Sequence, residues 1–170
     1  LHDALPISKG RMKRAYIAVS DYGPGYDAEE SFKRSFTESG GSIVGSVRFP
    51  VMNPDFAPFL QRVLDEKPDM LYAFIPGGSQ PPAFVKEFHE LGLAKAGIRL
   101  MPSAEAIDEA DLQNLGDLAS GIISATHYTA AYPSPTNKAF VAAWKKAYGA
   151  DKDPDLFAVG AYDRSEEHTS

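Results

Sequence analysis

One segment of the sequence has the residue types and spacing of a phosphate-binding loop. Gly23-Pro24-Gly25-Tyr26-Asp27-Ala28 satisfies the pattern G-x-G-x-x-A after an apolar run and before an amphipathic one, which is the setting of a dinucleotide fingerprint. However, Pro24 lacks the backbone N–H that would face a pyrophosphate, and Asp27 puts negative charge where phosphate would bind. Arg48 stands near the end of the next apolar run, where an NAD site has an acid and an NADP site tolerates an arginine. We therefore favour the interpretation that these glycines serve a tight turn. A dinucleotide site, in a fragment of an NADP-type oxidoreductase, stays the alternative interpretation.

The sequence offers few other groups for catalysis or metal binding. It contains no cysteine, which excludes disulfides, thiolate ligands and a cysteine nucleophile. The apolar run that ends at Ile75 carries no terminal aspartate for phosphoryl transfer, and no G-x-S-x-G nucleophile elbow occurs. His89 and His127 stand apart from spaced carboxylates, unlike the ligands of a metal site. We expect no catalytic residue, no metal and no cofactor.

A different set of residues favours a small-molecule cleft. Aromatic rings, small residues and isolated carboxylates recur between the apolar runs, at Tyr22, Tyr26, Gly77, Gly78, Ser79, Gln80, Glu105, Asp108, Tyr128 and Tyr132. An apolar wall with a few polar groups is typical of a ligand site. From these residue types alone, tyrosines that merely edge surface loops are an equal alternative.

Composition narrows the class of protein further. The 170 residues are 44% hydrophobic and 24% charged, which are values of a globular domain. The net charge of −6 argues against sequence-independent binding of nucleic acid, because such binding needs clustered Lys and Arg. No apolar run approaches the roughly 18 residues of a membrane span.

The hydrophobic pattern predicts alternating strands and helices that position these residues. Strands are expected at 15–19, 43–49, 70–75, 98–101 and 122–126, and helices at 27–40, 56–64, 84–91, 108–115 and 136–148. Asp27 and Glu30 have the spacing of a capping box at the first helix. This order predicts an α/β fold, a parallel sheet with helices on both faces. Ligands bind past the carboxyl ends of such strands, here in loops 21–26, 49–55, 76–82, 102–108 and 127–133.

The two ends of the chain read differently from the rest. Leu1–Ile7 and Arg164–Ser170 show no helical or strand period and resemble translated sequencing adapters. We expect residues 1–8 and 164–170 to be adapter artefacts, and 9–163 to be a ligand-binding lobe cut from a longer two-lobe protein.

Several stretches, in one order along the chain, carry a family resemblance. They are Tyr16–Asp27, Asp69–Phe74 with Gly77-Gly78, Phe84–Glu87 with Leu91-Gly92-Leu93, Leu115-Gly116-Asp117 with Ser120-Gly121, and Asn137–Val141 with Tyr148-Gly149 and Ala161-Tyr162-Asp163. The chain resembles the branched-chain amino-acid (leucine/isoleucine/valine) type of periplasmic substrate-binding protein of ABC transporters. The resemblance implies one lobe, the second, of a type I periplasmic binding protein fold.

The resemblance also implies ligand-binding residues. The family's tyrosine after the first strand of this lobe falls on Tyr22, or on Tyr26 if the gap is placed differently. Its loop after the third strand falls on Gly78 and Ser79, where the aromatic residue of some members is missing, which argues against leucine-like specificity. Its acid, which meets a ligand ammonium, falls near Glu105 or Asp108. Tyr128 joins the expected site residues from the loop pattern above and not from the resemblance.

The function that the resemblance implies is binding without catalysis. We expect the solute-binding component of an ABC importer, which takes an amino acid or a related small polar or aromatic molecule in a cleft between two lobes. The expected partners are that ligand, the membrane permease and the first lobe of the same protein, and no nucleic acid. The expected location is periplasmic or lipid-anchored and extracytoplasmic. A ligand-sensing receptor domain with the same fold is a further alternative.

Overall fold

The structure is a computed structural model that describes residues 12–103, 115–124 and 128–167, with the backbone alone at 163 and 165–167. The chain forms two compact units, Leu1–Ala125 and Thr126–Ser170. The predicted helix at 108–115 lies outside the described residues except for Leu115.

The first unit contains a four-stranded parallel sheet with helices between the strands. Its elements are β1 (Arg14–Ser20), α1 (Gly23–Glu38), β2 (Ser42–Phe49), α2 (Ala57–Glu66), β3 (Met70–Phe74), α3 (Gln80–Glu90), β4 (Arg99–Pro102) and a 3₁₀ helix (Gly116–Ala119). The strand order is β2-β1-β3-β4 and every pair is parallel. The predicted α/β class is confirmed.

Helices cover both faces of this sheet. Neighbouring side chains of a strand point to opposite faces, and the neighbours Ala15 and Tyr16 of β1 belong to different cores. Ala15 packs in a small cluster with Phe36 of α1. Tyr16 lies in the larger cluster with Leu60 of α2 and Phe84 of α3. Every residue of β1 from Ala15 to Ser20 is therefore buried, as expected for a central strand of a sheet covered on both sides.

Helix α1 begins at Gly23, four residues before the predicted capping box at Asp27, so that prediction is wrong. Tyr22 is the N-cap in extended conformation, with φ −159° and ψ 172°. Pro24 fits the first turn, because its missing N–H has no partner there in any helix. The predicted turn role of Gly25 is also wrong: a Cβ at Gly25 would lie 2.0 Å from the Ser20 carbonyl oxygen, so this glycine allows α1 to start directly against the end of β1.

Two further boundaries differ from the sequence prediction. Helix α3 begins at Gln80, inside the predicted loop 76–82, because Pro81 is tolerated in the first turn. The strand predicted at 122–126 is not formed over the described residues 122–124, although Ile123 N donates to Leu100 O at 3.2 Å. The next rung of a parallel ladder would need an N–H from Pro102, which proline lacks.

The second unit consists of two helices in its described part, α4 (Pro135–Tyr148) and α5 (Leu156–Glu167). Helix α4 confirms the helix predicted at 136–148, and its aromatic row is in contact: Phe140 and Trp144 lie 6.2 Å apart and Trp144 and Tyr148 4.3 Å apart between ring centroids. Helix α5 was not predicted, and it continues through Arg164 to Glu167. In the part of the chain that the structure describes, no helix combines the length and apolar character needed to cross a membrane.

Candidate functional site

The strand order changes direction between β1 and β3, which makes the carboxyl ends of these two strands a topological switch point. From β1 the chain crosses to β2 on one side, whereas β3 pairs with β1 on the other side. The loops after β1 and β3 therefore diverge and leave a crevice between them, which is the usual ligand site of an open parallel sheet. At its base, Val19 of β1 pairs with Phe74 of β3.

An aromatic pair stands at this crevice. Tyr22 is the second residue after β1 and is half-buried, and its backbone N–H donates to Ser20 O at 2.9 Å. Phe74 is the last residue of β3, and the two ring centroids are 6.2 Å apart with planes tilted by 39°. Two rings at this spacing present an apolar wall against which a flat or branched apolar group can pack.

Tyr26 lies one turn further along α1, and its polar end is engaged within the lobe. Its hydroxyl donates to Asp21 Oδ1 at 2.8 Å, and the guanidinium carbon of Arg48 lies 4.3 Å from the centroid of its ring. The hydrogen bond to Asp21 raises the pKa of the Tyr26 hydroxyl, although the nearby Arg48 opposes this. One face and the hydroxyl of Tyr26 are therefore occupied by neighbours in the lobe.

Glu29 of α1 is a carboxylate with 9% of its surface exposed. Arg48 Nε donates to Glu29 Oε2 at 2.8 Å, and the Ser46 hydroxyl donates to Glu29 Oε1. Burial raises the pKa of the Glu29 carboxyl, but the bonds from Ser46 and Arg48 and the charges of Arg48 and Lys33 outweigh it and lower the pKa. The carboxylate is thus held in its charged form against β2.

The loop after β3 supplies small and polar groups at the same edge. Gly78 has φ +114°, a conformation that side chains other than glycine rarely adopt. Gly78 and Ser79 are exposed, and the Ser79 side chain makes no capping bond to α3. Gln80 Nε2 donates to Val51 O at 2.6 Å, which ties this loop to the loop after β2.

Three polar atoms at this edge have no hydrogen-bond partner among the described residues. They are Ser20 Oγ at the end of β1, Gln80 Oε1 at the start of α3 and Ser103 Oγ after β4. Buried polar groups without partners are rare elsewhere in proteins. Among the described residues, these three atoms all lie at or just after the carboxyl ends of the strands.

The structure brings together four of the predicted site residues, Tyr22, Tyr26, Gly78 and Ser79, at the carboxyl edge of the first unit. Glu105 and Asp108 lie outside the described residues. Tyr128 belongs to the second unit, where its ring meets Phe140 edge to face at 6.5 Å.

Sequence reasoning missed several residues that organise the loops within each unit. In the sequence, Phe74 is one more apolar residue of a predicted buried strand. Only its position near the end of the apolar run indicates that its ring could lie at the crevice. Glu29 and Arg48 are 19 residues apart, so no local pattern pairs them. In the second unit, Asn137 Nδ2 donates to the carbonyls of Thr129, Ala130 and Tyr132 and so fixes the loop after Tyr128. The Ser134 hydroxyl accepts a hydrogen bond from Asn137 N. A serine at this position is a typical helix N-cap, and this cap is the sequence signal that places Asn137 in the first turn of α4, next to the loop.

The fold defines a class: an α/β lobe with a four-stranded parallel sheet, whose candidate ligand site is at the carboxyl ends of the strands. Among the residues that the structure describes, no group of three or more His, Asp or Glu side chains is placed to hold a metal ion. The chain belongs to the periplasmic binding protein family, whose profile matches residues 5–165. The family resemblance seen in the sequence is confirmed, and members of this family are binding proteins rather than enzymes.

Particular relatives refine this assignment. The chain is 39% identical over 157 residues to the Leu/Ile/Val-binding protein homolog 6 of Brucella melitensis, covering 92% of this chain and 40% of that protein. A solute-binding protein of an ABC transporter from Rhodopseudomonas palustris, in complex with 3,4-dihydroxybenzoic acid, is 46% identical with a TM-score of 0.79, covering 91% of this chain and 42% of that one.

A second solute-binding protein of R. palustris, in complex with 4-hydroxybenzoate, is 43% identical with a TM-score of 0.85, covering 93% of this chain and 43% of that one. The chain therefore spans about 40% of the length of the relatives it matches.

Proposed function

We propose that residues 9–163 are one lobe of a solute-binding protein that delivers a small aromatic carboxylate to an ABC importer. The aromatic pair Tyr22–Phe74 at the crevice carries this proposal. A benzoate ring packs favourably against aromatic side chains, and this pair stands at the place where ligands of parallel α/β sheets bind. The hydroxylated benzoates bound by the two R. palustris proteins support the same ligand class.

Each predicted site residue has a role in this proposal. Tyr22 packs against the ligand ring, and Tyr26 forms the outer side of the same wall. The exposed loop at Gly78 and Ser79 leaves room for the ligand and offers a hydroxyl and backbone amides. Tyr128 stays a predicted ligand-binding residue.

An amino acid is the second candidate ligand, favoured by the Brucella relatives. In that case Glu105 or Asp108 accepts the ligand ammonium in a charge-assisted hydrogen bond. A benzoate has no ammonium, so the contribution of Glu105 to binding separates the two candidates.

We further propose that another lobe covers the site, since the chain spans about 40% of its relatives. A ligand that contacts both lobes stabilises the closed arrangement over the open one. The closed protein then meets the importer's permease on the extracytoplasmic side, as a periplasmic or lipid-anchored protein. The solute leaves chemically unchanged, and neither a cofactor nor nucleic acid takes part.

A thermal-shift screen of the full-length protein that contains this lobe tests the proposal. The ligands are 4-hydroxybenzoate, 3,4-dihydroxybenzoate, benzoate, leucine and NADP⁺. We expect the benzoates to raise the melting temperature most, because the proposal gives them the lowest Kd of the five. A ligand at 100 times its Kd stabilises the folded state by about 2.7 kcal/mol. A shift with NADP⁺ alone supports the oxidoreductase alternative, and no shift with any of the five contradicts the proposed function.

Two substitutions of one residue sharpen this experiment. Tyr22→Ala removes the ring from the wall and is expected to weaken 4-hydroxybenzoate binding about tenfold, since an aromatic contact contributes about 0.5–1.5 kcal/mol beyond burial. Tyr22→Phe keeps the ring and serves as the matched control, with an expected change below about threefold. If both variants bind as the wild type does, Tyr22 does not contact the ligand. Glu105→Ala leaves benzoate binding unchanged and abolishes binding of an amino acid.

A further inference from the structure

A charged network runs from the edge strand β2 to the residue that precedes Tyr22. It consists of Glu29, Arg48, Tyr26 and Asp21, which belong to α1, β2 and the loop between β1 and α1. Glu29 forms an ion pair with Arg48, whose guanidinium makes a cation–π contact with Tyr26. The Tyr26 hydroxyl donates a hydrogen bond to Asp21. The network ends beside the ligand crevice and not on the far surface of the lobe.

At its inner end the network clamps α1 to β2. Ser46 and Arg48 are two residues apart on β2 and so lie on the same face of the strand. Both donate to the carboxylate of Glu29, one to each oxygen. Glu29 has a side chain that is only 12% exposed, against 46% for Arg48, so the carboxylate is the buried member of the pair.

At its outer end the network holds Asp21 from two directions. The guanidinium of Arg48 lies over the Tyr26 ring, and the Tyr26 hydroxyl donates to the Asp21 carboxylate. The backbone N–H of Asp21 donates to Phe49 O at 2.8 Å. Tyr22 is the next residue, so its backbone starts from a fixed point.

Among the described residues, the start of α1 has no side-chain cap. Tyr22 gives no side-chain capping bond, and no acidic residue stands in the first turn. Capping side chains normally fix such a helix start. The network links residues around this helix start to β2, through an ion pair that spans the 19 residues between Glu29 and Arg48.

We propose that Glu29 and Arg48 are positioning residues that act through Tyr26 and Asp21 to hold Tyr22 in its place beside Phe74. The inference rests on the proposed function, in which Tyr22 packs against the ligand. Neither Glu29 nor Arg48 touches the ligand itself. Tyr26 then contributes to binding through its hydroxyl bond to Asp21 as well as through its place in the wall.

The test is a double-mutant cycle on the full-length protein, with the Kd for 4-hydroxybenzoate and for leucine measured by calorimetry. Arg48→Met removes the charge and the planar group at similar length, and we expect about tenfold weaker binding in the wild-type background. In the Tyr22→Ala background the same substitution should change Kd by less than about twofold. Lys86→Met is the matched control, because it breaks the exposed ion pair with Glu90 in the same lobe and should leave Kd unchanged.

A second variant covers the case in which Arg48→Met does not fold. Tyr26→Phe keeps the ring under Arg48 and removes only the hydroxyl that holds Asp21, and we expect a loss of about fivefold in affinity. Glu29→Gln keeps the shape of the carboxylate but not its charge, and should weaken binding in the same direction as Arg48→Met without adding to it.

The outcomes separate this inference from the proposed function. A wild-type protein that binds neither probe overturns the proposed function. A wild type that binds, with Tyr22→Ala weakened and both Arg48→Met and Tyr26→Phe unaffected, leaves the function standing and overturns the inference. An equal effect of Arg48→Met with and without the Tyr22 ring also overturns it, because the arginine then acts elsewhere.

Discussion

The tight contact between α1 and β1 makes Gly25 the most constrained position near the site. An alanine Cβ at Gly25 would lie 2.0 Å from the carbonyl oxygen of Ser20 and 3.1 Å from its carbonyl carbon. The opposing atoms are backbone atoms of a central strand, so they cannot rotate away as a side chain does. Gly25→Ala therefore forces the start of α1, with Tyr22 at its N-cap, away from β1 by about 1 Å.

The size of the effect follows from two opposing terms. Overpacking of this kind costs about 1–3 kcal/mol, and the rigid strand places this site at the upper end. Alanine regains up to about 1 kcal/mol, because it has a higher helix propensity than glycine. We expect a net loss of about 2 kcal/mol in the free energy of unfolding, which lowers the melting temperature by about 4–8 °C in a chain of this size.

Urea unfolding followed by far-ultraviolet circular dichroism measures this loss. Gly23→Ala is the matched control: it lies two residues earlier in the same first turn, and a Cβ there meets nothing within 4 Å. The control should be neutral or slightly stabilising. Equal midpoints for Gly25→Ala, Gly23→Ala and the wild type would refute the close approach of α1 to β1.

Three further predictions concern stability. Because the folded-state pKa of Glu29 is lowered, the stability that its ion pair contributes is full above about pH 5 and is lost as the pH falls through the folded pKa. Glu29→Gln should reduce this loss of stability at acid pH, measured as the urea midpoint of unfolding. An unchanged pH profile of the midpoint would contradict the pairing. Asn137→Asp replaces an NH₂ that donates to three carbonyls by oxygens that repel them, so hydrogen exchange over residues 128–133 should become faster, and equal protection would refute this anchoring. Leu60→Ala, at a side chain with 0% exposure, should cost about 2–5 kcal/mol in the free energy of unfolding, whereas a loss below about 1 kcal/mol would place Leu60 outside the core.

The alternation of strands and helices was predictable from the sequence because it depends on local patterns. The apolar run from Met70 to Phe74 indicates a strand buried on both faces, and the structure confirms it. The boundaries that failed depend on partners elsewhere in the chain. Gly25 signals a turn in isolation, but its role comes from the Ser20 carbonyl that α1 approaches. The run after Gly121 has strand-like residues, but pairing with β4 needs an N–H that Pro102 lacks.

The candidate site divides in the same way. Tyr22 was predicted, because its place after a strand and the family resemblance both point to it. Phe74 was not, since a strand residue shows no sign of which neighbour its ring will meet. The ion pair of Glu29 and Arg48 follows from the pairing of β1 with β2 and the packing of α1 over them, which no spacing in the sequence encodes.

Equilibrium dialysis of the full-length protein against 4-hydroxybenzoate, with the bound compound recovered and identified by mass spectrometry, tests the central claim most directly. The account predicts saturable binding of one molecule per protein, released unchanged, and weakened about tenfold by Tyr22→Ala. Absence of saturable binding, or recovery of a chemically altered compound, would contradict it.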